Sequence, residues 1–254
     1  MGGRFPGNPL PRIRTTPAYR LVAEAIEKRI LSGELRAGEP LGTEAELVKQ
    51  FGVNRSTVRE GIRLLEQSGL VRRDASRRLW TGLPHYERLA SRTSRALVLH
   101  QATFRELYKA ALPLQIATVQ AAVERATPEI IERLEANITR MEEAASDPAA
   151  VASLDREFHA LVGEAAANRV LQLAREPSEM LVLPTTELIS RHVPEAPARV
   201  LHAHRMYVDA IKRRDVEAGR LWARRHIEDW KKGFERAGRS LDAPIDRLYL
   251  ELNR

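Results

Sequence analysis

The stretch from Val53 to Val71 reads VNRSTVREGIRLLEQSGLV and carries the strongest structural signal in the chain. Val58, Ile62 and Leu65 are spaced by four and three residues, which predicts one apolar face on a helix. The start of this helix holds polar and cationic side chains away from the apolar stripe: Arg55, Ser56, Thr57 and Arg59. Such a helix can enter the major groove of DNA and contact base edges and phosphates there. The alternative is an ordinary amphipathic helix with a solvated basic face.

The distribution of charge favours the DNA-binding interpretation. The chain has 254 residues and a formal net charge of +7. Residues 1–84 hold 15 Lys and Arg against 9 Asp and Glu, whereas residues 85–254 hold 26 against 25. A basic excess confined to one segment attracts a polyanion such as DNA. Simple solubility is the alternative explanation of this excess.

Composition also excludes several classes of protein. The chain has no cysteine, so disulfides and thiolate metal sites are impossible. The segment Met1–Pro9 lacks the apolar core of a signal peptide, and no apolar run approaches the length of a membrane span. We therefore expect a soluble, cytoplasmic protein that has no membrane partner.

Residues 17–82 predict a winged helix-turn-helix DNA-binding domain, preceded by a flexible arm at residues 1–16. A first helix is expected from about Pro17 to Leu31 because apolar residues recur on one predicted face: Leu21, Val22, Ala25, Ile26 and Ile30. A turn rich in helix breakers then extends to Pro40.

Two further helices and a hairpin complete this domain. Thr43 and Glu46 match a capping box, which predicts a second helix that ends before Gly52. The third helix begins after Asn54 and is capped by Gly69. A two-stranded basic wing is expected from the following segments: strands at residues 70–73 and 79–81, with Arg77 and Arg78 near the tip.

The rest of the chain predicts an all-α antiparallel helical bundle over residues 84–238, followed by a C-terminal tail at residues 239–254. No alternating strand pattern appears, and prolines fall between the periodic stretches. Helices are expected near residues 85–100, 102–125, 128–145, 148–165, 167–190, 195–213 and 215–237, with a possible short helix over 245–252. The expected fold class is therefore mainly α, with a bundle large enough to enclose a cavity.

The N-terminal motifs resemble those of the GntR family of bacterial transcriptional regulators. The resemblance rests on ILSGELRAGEPL at residues 30–41, VNRSTVRE at 53–60 and LLEQSGLV at 64–71. The helical remainder resembles the FCD ligand-binding domain of the FadR-like subfamily. Together they imply a homodimeric, effector-responsive protein that binds a double-stranded DNA operator and is not an enzyme.

The resemblance also implies which residues contact DNA. Arg55, Ser56, Thr57 and Arg59 match the DNA-contacting helix of the family, and Arg77 matches the tip of its wing. Two departures affect the operator sequence. The family often has an arginine where this chain has Ala45, and its wing usually has a glycine near Arg78.

A second group of residues has the chemistry of a metal site. Asp155 and His159 are four residues apart, so they share one face of a helix within a mostly apolar stripe. A buried carboxylate and imidazole need partners, and His204 and His226 lie in two further predicted helices. Each histidine alone is more often an ordinary core or surface residue. The resemblance to metal-binding FCD domains implies that all four are ligands of a divalent metal, with zinc favoured over nickel or manganese.

Two uses of such a metal remain open. Hydrolysis at zinc usually needs a general base, but the chain lacks a His-Glu-x-x-His motif and Glu157 projects from another helical face. In a sensor, the effector itself completes the coordination sphere, and the resemblance implies a small organic acid. Family members often place an Arg and a Glu where this chain has Ala111 and Gln115, so a carboxylate-binding arginine is not expected on that helix.

The sequence therefore predicts a transcriptional regulator, with repression favoured, whose operator affinity is controlled by an effector bound at the metal. A metal-dependent hydrolase or lyase fused to a DNA-binding module is one alternative. A constitutive DNA-binding dimer with a purely structural bundle is the other.

Overall fold

A computed structural model of the protein describes residues 16–82 and 86–245. These residues form two compact units, with the boundary before Tyr86. The predicted fold class is confirmed, because a winged helix-turn-helix precedes an all-helical unit. None of the helices in these described ranges is long and apolar enough to cross a membrane. The expected arm at residues 1–16 lies outside the described residues except for its last residue.

The N-terminal unit contains helices and short strands in this order: α1 (Ala18–Leu31), β1 (Pro40–Gly42), α2 (Glu44–Phe51), α3 (Arg55–Ser68), β2 (Val71–Arg73) and β3 (Leu79–Thr81). Helix α3 buries the predicted stripe of Val58, Ile62 and Leu65, and this face packs in one core cluster with residues of α1. Burial of these side chains is the main source of stability for the unit.

The apolar face predicted for α1 was partly wrong. Val22 and Ile26 are buried as expected, but Leu21 and Ala25 face solvent. Helix α1 instead contributes Val22, Ala23 and Ile26 to the core shared with α3, and Leu21 and Ala25 lie to the side of this contact. At Gly61 of α3, an added Cβ would lie 2.8 Å from the backbone oxygen of Tyr19.

The ends of α2 and α3 follow the sequence signals. The Thr43 hydroxyl accepts from the amide of Glu46, and the Glu46 carboxylate accepts from the amide of Thr43, so the capping box is confirmed. The Asn54 side chain accepts from the amide three residues ahead and starts α3. Gly52 and Gly69 end the two helices with φ of 64° and 81°, a region that glycine enters without a steric penalty.

The wing is part of a three-stranded antiparallel sheet with strand order β1-β3-β2. The predicted hairpin of β2 and β3 is confirmed, and Arg72 lies opposite Trp80. Strand β1 was not predicted, because the segment around Pro40 is rich in residues that break regular structure. It pairs with β3 because buried Thr81 holds this segment in place, accepting a 2.9 Å hydrogen bond from the amide of Glu39.

The C-terminal unit is helical through residue 236 in the described residues: α4 (Tyr86–Leu99), α5 (Phe104–Arg125), α6 (Pro128–Glu143), α7 (Pro148–Ala165), α8 (Arg169–Val182), α9 (Pro184–His192), α10 (Ala196–Arg213) and α11 (Val216–Arg236). Helix α5 is central and packs against α7, α8, α10 and α11. The Ser94 hydroxyl of α4 donates a 2.9 Å hydrogen bond to the backbone oxygen of Pro177 in α8.

The single helix predicted over residues 167–190 was wrong. The structure divides this segment into α8 and α9, with Pro184 as the first residue of α9. Proline lacks an amide hydrogen and its ring clashes with the preceding turn, so a helix restarts there more easily than it continues.

The start of the predicted C-terminal tail is packed against α5. Leu241 and Ile245 are buried, and the Ile245 amide donates a 2.9 Å hydrogen bond to the backbone oxygen of Ala102. The short helix expected over residues 245–252 lies outside the described residues apart from Ile245.

Candidate functional site

The four predicted DNA-contacting residues of α3 occupy its first five positions. Arg55, Ser56 and Arg59 are exposed, and the Arg55 side chain keeps 83% of its accessible surface. Thr57 is half-buried, and its amide is capped by Asn54 at 2.8 Å. The exposed N-terminal end of the helix therefore presents two cations and one hydroxyl to solvent.

Asp74 organises the wing, a role that the sequence analysis missed. One of its carboxylate oxygens accepts hydrogen bonds from the Ser76 hydroxyl at 2.7 Å and from the amide of Arg78 at 2.9 Å. The other accepts from the indole N–H of Trp80 at 2.8 Å. These hydrogen bonds, led by the Ser76 hydroxyl, lower the pKa of Asp74 to about 2. They hold the turn in which Arg77 is exposed with a φ of 64°.

A second arginine of the wing, Arg73, is paired with two carboxylates, so its charge is not free to contact DNA. The Arg73 guanidinium lies 2.9 Å from the Glu44 carboxylate and 3.2 Å from that of Glu66. The hydrogen bond to Glu44 is the main cause of a raised pKa for Arg73. Arg73 thus ties the wing to α2 and α3, and exposed Arg77 remains the better candidate for a phosphate contact.

The structure brings the four predicted metal ligands together from three helices. Asp155 and His159 lie on α7, His204 on α10 and His226 on α11, and one ligand atom from each lies within 4.8 Å of the others. The Nε2 atoms of His159 and His226 are 3.2 Å apart. The Oδ1 atom of Asp155 lies 3.3 Å from Nε2 of His204 and 3.6 Å from Nε2 of His159.

The three pair distances of 3.2, 3.3 and 3.6 Å are close to those in the coordination shell of a divalent metal. Nitrogen and oxygen ligands bound about 2.0–2.2 Å from one ion lie roughly 3–3.5 Å from each other. Within the described residues, Oδ1 of Asp155 and both ring nitrogens of His204 are buried and have no hydrogen-bond partner. Because unpaired buried polar atoms are unfavourable, an ion at the centre of the cluster would satisfy groups that the protein leaves unsatisfied.

Burial keeps the three imidazoles in the form that binds metal. Desolvation lowers the pKa of His204 to about 3 and that of His226 to about 4. The pKa of His159 lies well below its ordinary value, also because of burial. All three rings are therefore neutral at pH 7, and each has a lone pair available for a metal ion.

Neighbouring side chains orient the ligands. The Thr186 hydroxyl donates a 2.9 Å hydrogen bond to the second oxygen of Asp155. The ring of His204 stacks on Phe158 with centroids 3.7 Å apart. The Gln115 amide lies 3.2 Å from Nδ1 of His159. The atom nearest Nδ1 is the amide nitrogen, so a 180° rotation of the amide would bring its oxygen there to accept from Nδ1–H when His159 uses Nε2 as a ligand.

Two residues weighed in the sequence analysis lie away from the cluster. The ring of His202 contacts Trp222 edge-on, with centroids 5.0 Å apart. Glu157 forms an ion pair with Arg140 on the outer surface. Neither residue supplies a ligand or a general base to the cluster.

A cavity opens beside the cluster and is lined by Asp155, His159 and His226. Its empty volume is about 690 Å³, which includes the part open to solvent. Its wall also contains the hydroxyl of Ser190, which is buried and has no hydrogen-bond partner in the described part of the chain. Apolar side chains form most of the remaining wall, and three exposed cations lie at the outer part: Arg199, Lys232 and Arg236.

Comparison with known proteins agrees with both units. The family of bacterial regulatory proteins named gntR matches residues 18–78, and the FCD domain matches residues 106–229. The chain is 26% identical to the uncharacterized HTH-type transcriptional regulator YdhC of Bacillus subtilis, over 84% of this chain and 88% of that relative. It is 28% identical to the HTH-type transcriptional repressor NanR of Cronobacter sakazakii, over 78% of this chain and 77% of NanR.

A solved structure supports the fold. The GntR protein of Streptococcus agalactiae aligns with a TM-score of 0.58 at 22% identity, covering 84% of this chain and 99% of that one.

The DNA-binding unit and the helical unit with its cavity define a transcriptional regulator with a ligand-binding domain, not an enzyme. Residues 18–78 thus form a GntR-type DNA-binding domain, and residues 106–229 form an FCD domain.

Proposed function

We propose that this protein is a homodimeric repressor whose affinity for its operator is controlled by a small organic acid bound at a zinc ion. The observation that carries the proposal is the cluster of Asp155, His159, His204 and His226 at the wall of a cavity. One carboxylate and three neutral imidazoles suit zinc and leave one or two coordination positions for a ligand. Elemental analysis distinguishes zinc from nickel and manganese.

The surroundings of the cluster favour an organic acid as the effector. A carboxylate or hydroxyl oxygen of the ligand would complete the coordination shell, and the Ser190 hydroxyl offers one further hydrogen bond. The apolar part of the wall would cover the carbon skeleton of the acid. At the outer part of the cavity Arg199 and Arg236 already pair with Asp229 and Glu195, so the exposed Lys232 is the cation that favours an anion there.

Homodimerisation follows from the way in which winged helices read DNA. A pair of identical units contacts the two halves of a palindromic operator, one recognition helix in each half-site. In each protomer, Arg55 and Arg59 would contact bases or phosphates of the major groove and Arg77 would contact the backbone. The relative NanR is named as a repressor, which supports repression as the output.

The effector acts only if it binds one arrangement of the dimer more tightly than the other. A ligand with equal affinity for the DNA-binding and the non-binding arrangements would shift nothing, however tightly it bound. The proposed switch therefore predicts that the operator weakens effector binding, or strengthens it, by the same factor by which the effector changes operator affinity.

The first experiment selects a tight-binding duplex from random DNA with the purified full chain and measures its affinity at one salt concentration. We expect Arg55→Ala and Arg59→Ala each to weaken binding by about 10- to 100-fold, the loss typical of a direct DNA contact, while zinc content stays unchanged. Arg29→Ala, which removes an exposed cation of α1 paired with Glu34, is the matched control. Wild-type affinity in both α3 variants would disprove the assignment of the recognition helix.

The second experiment tests control by the metal site. Operator binding is measured with and without a panel of small carboxylic acids, using the wild type and the His204→Ala and His226→Ala variants. We expect at least one acid to change the affinity of the wild type and to have no effect on the variants. If no metal copurifies and both variants keep their fold and normal regulation, the bundle is structural and the metal proposal is wrong.

A further inference from the structure

A second charged group lies behind the cluster, on α8. Arg175 is buried, with 4% of its surface exposed. Its Nη2 donates a 2.7 Å hydrogen bond to the backbone oxygen of His159, and its Nη1 lies 2.8 Å from the carboxylate of Glu179. Across the described ranges, Nε and Nη1 have no hydrogen bond of acceptable geometry. Nη1 is therefore held by its ion pair with Glu179, whereas the buried Nε has no partner in the described residues.

The fold makes specific room for this guanidinium. Gly163 lies in α7, one turn after His159, and a Cβ there would lie 2.7 Å from Nη2 of Arg175 and 2.9 Å from its Cζ. Glycine within a helix is unfavourable relative to alanine because it gives up more backbone freedom on folding. Its presence here allows Arg175 to reach the backbone of the metal-ligand helix.

Arg175 lines a compartment distinct from the cavity described above. This compartment measures about 400 Å³, including its opening, and its wall contains Gln115, His159 and Glu179. It shares wall residues with the larger cavity: His159, Val182, Leu183 and Ile227. The compartment thus lies against His159, which also faces the larger cavity, and Arg175 adds a cation to its wall.

We propose that Arg175 binds the carboxylate of a small organic acid in this compartment, with Glu179 beside it when no ligand is present. A carboxylate is the preferred partner of a guanidinium because it accepts charge-assisted hydrogen bonds. Glu179 compensates the charge of Arg175 in the absence of a ligand, and a ligand carboxylate would take over this role and could also satisfy the unpaired Nε. The inference deepens the proposed function by naming a residue that recognises the acid, but the compartment itself requires no metal.

Glu179 distinguishes a ligand-binding role of Arg175 from a structural one, because its carboxylate competes with a ligand carboxylate for the guanidinium. Its carboxylate is near enough to Nη1 to repel a ligand carboxylate and to compensate the charge of Arg175. Removing that negative charge should strengthen binding of an acid, whereas loss of a merely structural ion pair would weaken or unfold the site. The two interpretations therefore predict opposite effects of Glu179→Gln.

The experiment measures binding of acetate and succinate to the full-length protein by calorimetry, with acetamide as the uncharged control. It compares the wild type with Glu179→Gln and with the double variant Arg175→Met/Glu179→Gln, which leaves no unpaired buried charge. Gly163→Ala is a fourth variant that crowds the guanidinium without removing it. Circular dichroism checks the fold of each variant.

We expect the double variant to bind the acids at least about tenfold more weakly than the wild type, as for loss of a charge-assisted hydrogen bond. Glu179→Gln should bind them more tightly, Gly163→Ala more weakly, and acetamide should not bind. Equal affinity in the double variant and the wild type would overturn the inference, and so would weaker binding by Glu179→Gln. Failure of the wild type to bind either acid at about 10 mM would also overturn it.

The same titrations separate this inference from the proposed function. They are run on zinc-loaded protein and on protein treated with a chelator. If acid binding depends on Arg175 in both preparations, Arg175 binds the acid in the compartment without help from the metal. This conclusion holds even if the operator response proves independent of metal. Binding that needs zinc but not Arg175 supports the metal site and rejects the compartment.

Discussion

The Nε2 atoms of His159 and His226 lie 3.2 Å apart, although one residue is on α7 and the other on α11. Two neutral imidazoles in this position must either share one proton or both bind an ion. Nδ1 of His159 faces the amide nitrogen of Gln115, so the metal-bound tautomer, which carries its proton on Nδ1, requires this amide to turn its oxygen toward the ring.

Replacement of His226 by alanine should abolish tight zinc binding. One of the four ligands is lost, and the affinity should fall by more than about 100-fold because even changes to residues behind the ligands cost up to that amount. Zinc per protein chain and the zinc-dependent rise in Tm measure the effect. His202→Ala is the matched control, since this histidine packs against Trp222 instead. Equal zinc content in the two variants would contradict the assignment.

The metal-free protein should lose stability on acidification below about pH 6.5. In the unfolded chain the histidines take up protons near their ordinary pKa, whereas burial keeps the pKa of His226 at about 4 and that of His204 at about 3. Between these values the unfolded state binds more protons, so the free energy of unfolding falls as the pH falls. Urea unfolding across pH 7 to 4 measures the slope, and His226→Gln should reduce it. Superimposable curves for the two proteins would show that His226 does not contribute.

Asp74→Ala should loosen the wing and weaken operator binding by several-fold. The substitution removes the acceptor shared by Ser76, Arg78 and Trp80, so the turn that presents Arg77 loses its side-chain hydrogen bonds and keeps only those of the backbone. Hydrogen exchange of the wing amides and operator affinity at fixed salt provide the two readouts. Asp74→Asn keeps one acceptor oxygen and should have the smaller effect. Unchanged amide exchange in Asp74→Ala would rule out this role.

Gly61→Ala should destabilise the N-terminal unit by about 1–3 kcal/mol, the usual cost of overpacking. The added methyl would lie 2.8 Å from the backbone oxygen of Tyr19 and 3.1 Å from Val22 Cγ1, and a backbone atom cannot move aside as a flexible side chain can. Hydrogen exchange of the α3 amides in increasing urea reports the stability of this unit. Glu24→Ala, on the exposed side of α1, is the control and should change little. If Gly61→Ala and Glu24→Ala are equally stable, α1 and α3 can move apart without a loss in the free energy of unfolding, and the overpacking argument is wrong.

Local signals in the sequence account for much of the N-terminal unit. The Thr43 capping box, the Asn54 cap and the spacing of Val58 and Ile62 depend on residues within a few positions, so they can be recognised without knowing the fold. Strand β1 depends instead on Thr81, about forty residues away, which holds the segment against β3. No local pattern carries such information.

The spacing of residues along the sequence predicted only part of the four-residue cluster. Asp155 and His159 share a helical face by their four-residue separation, but His204 and His226 were selected through the family resemblance, and the structure supplied the distances. Arg175 was missed altogether. It is one arginine within an ordinary helical segment, and only the approach of α7 at Gly163 shows that it is buried.

The hydrogen bond from Ser94 to the backbone oxygen of Pro177 joins α4 to α8. Helix α8 lines both compartments, and α4 is the first helix after the residues that connect the FCD domain to the DNA-binding unit. Evolution can therefore alter ligand preference through the cavity-facing positions of α8 while the α3 residues that read the operator stay constant. Under the proposed function, paralogues that respond to different ligands at the same operator would differ mainly in this one helix, provided that the hydrogen bond from Ser94 to the backbone oxygen of Pro177 is retained.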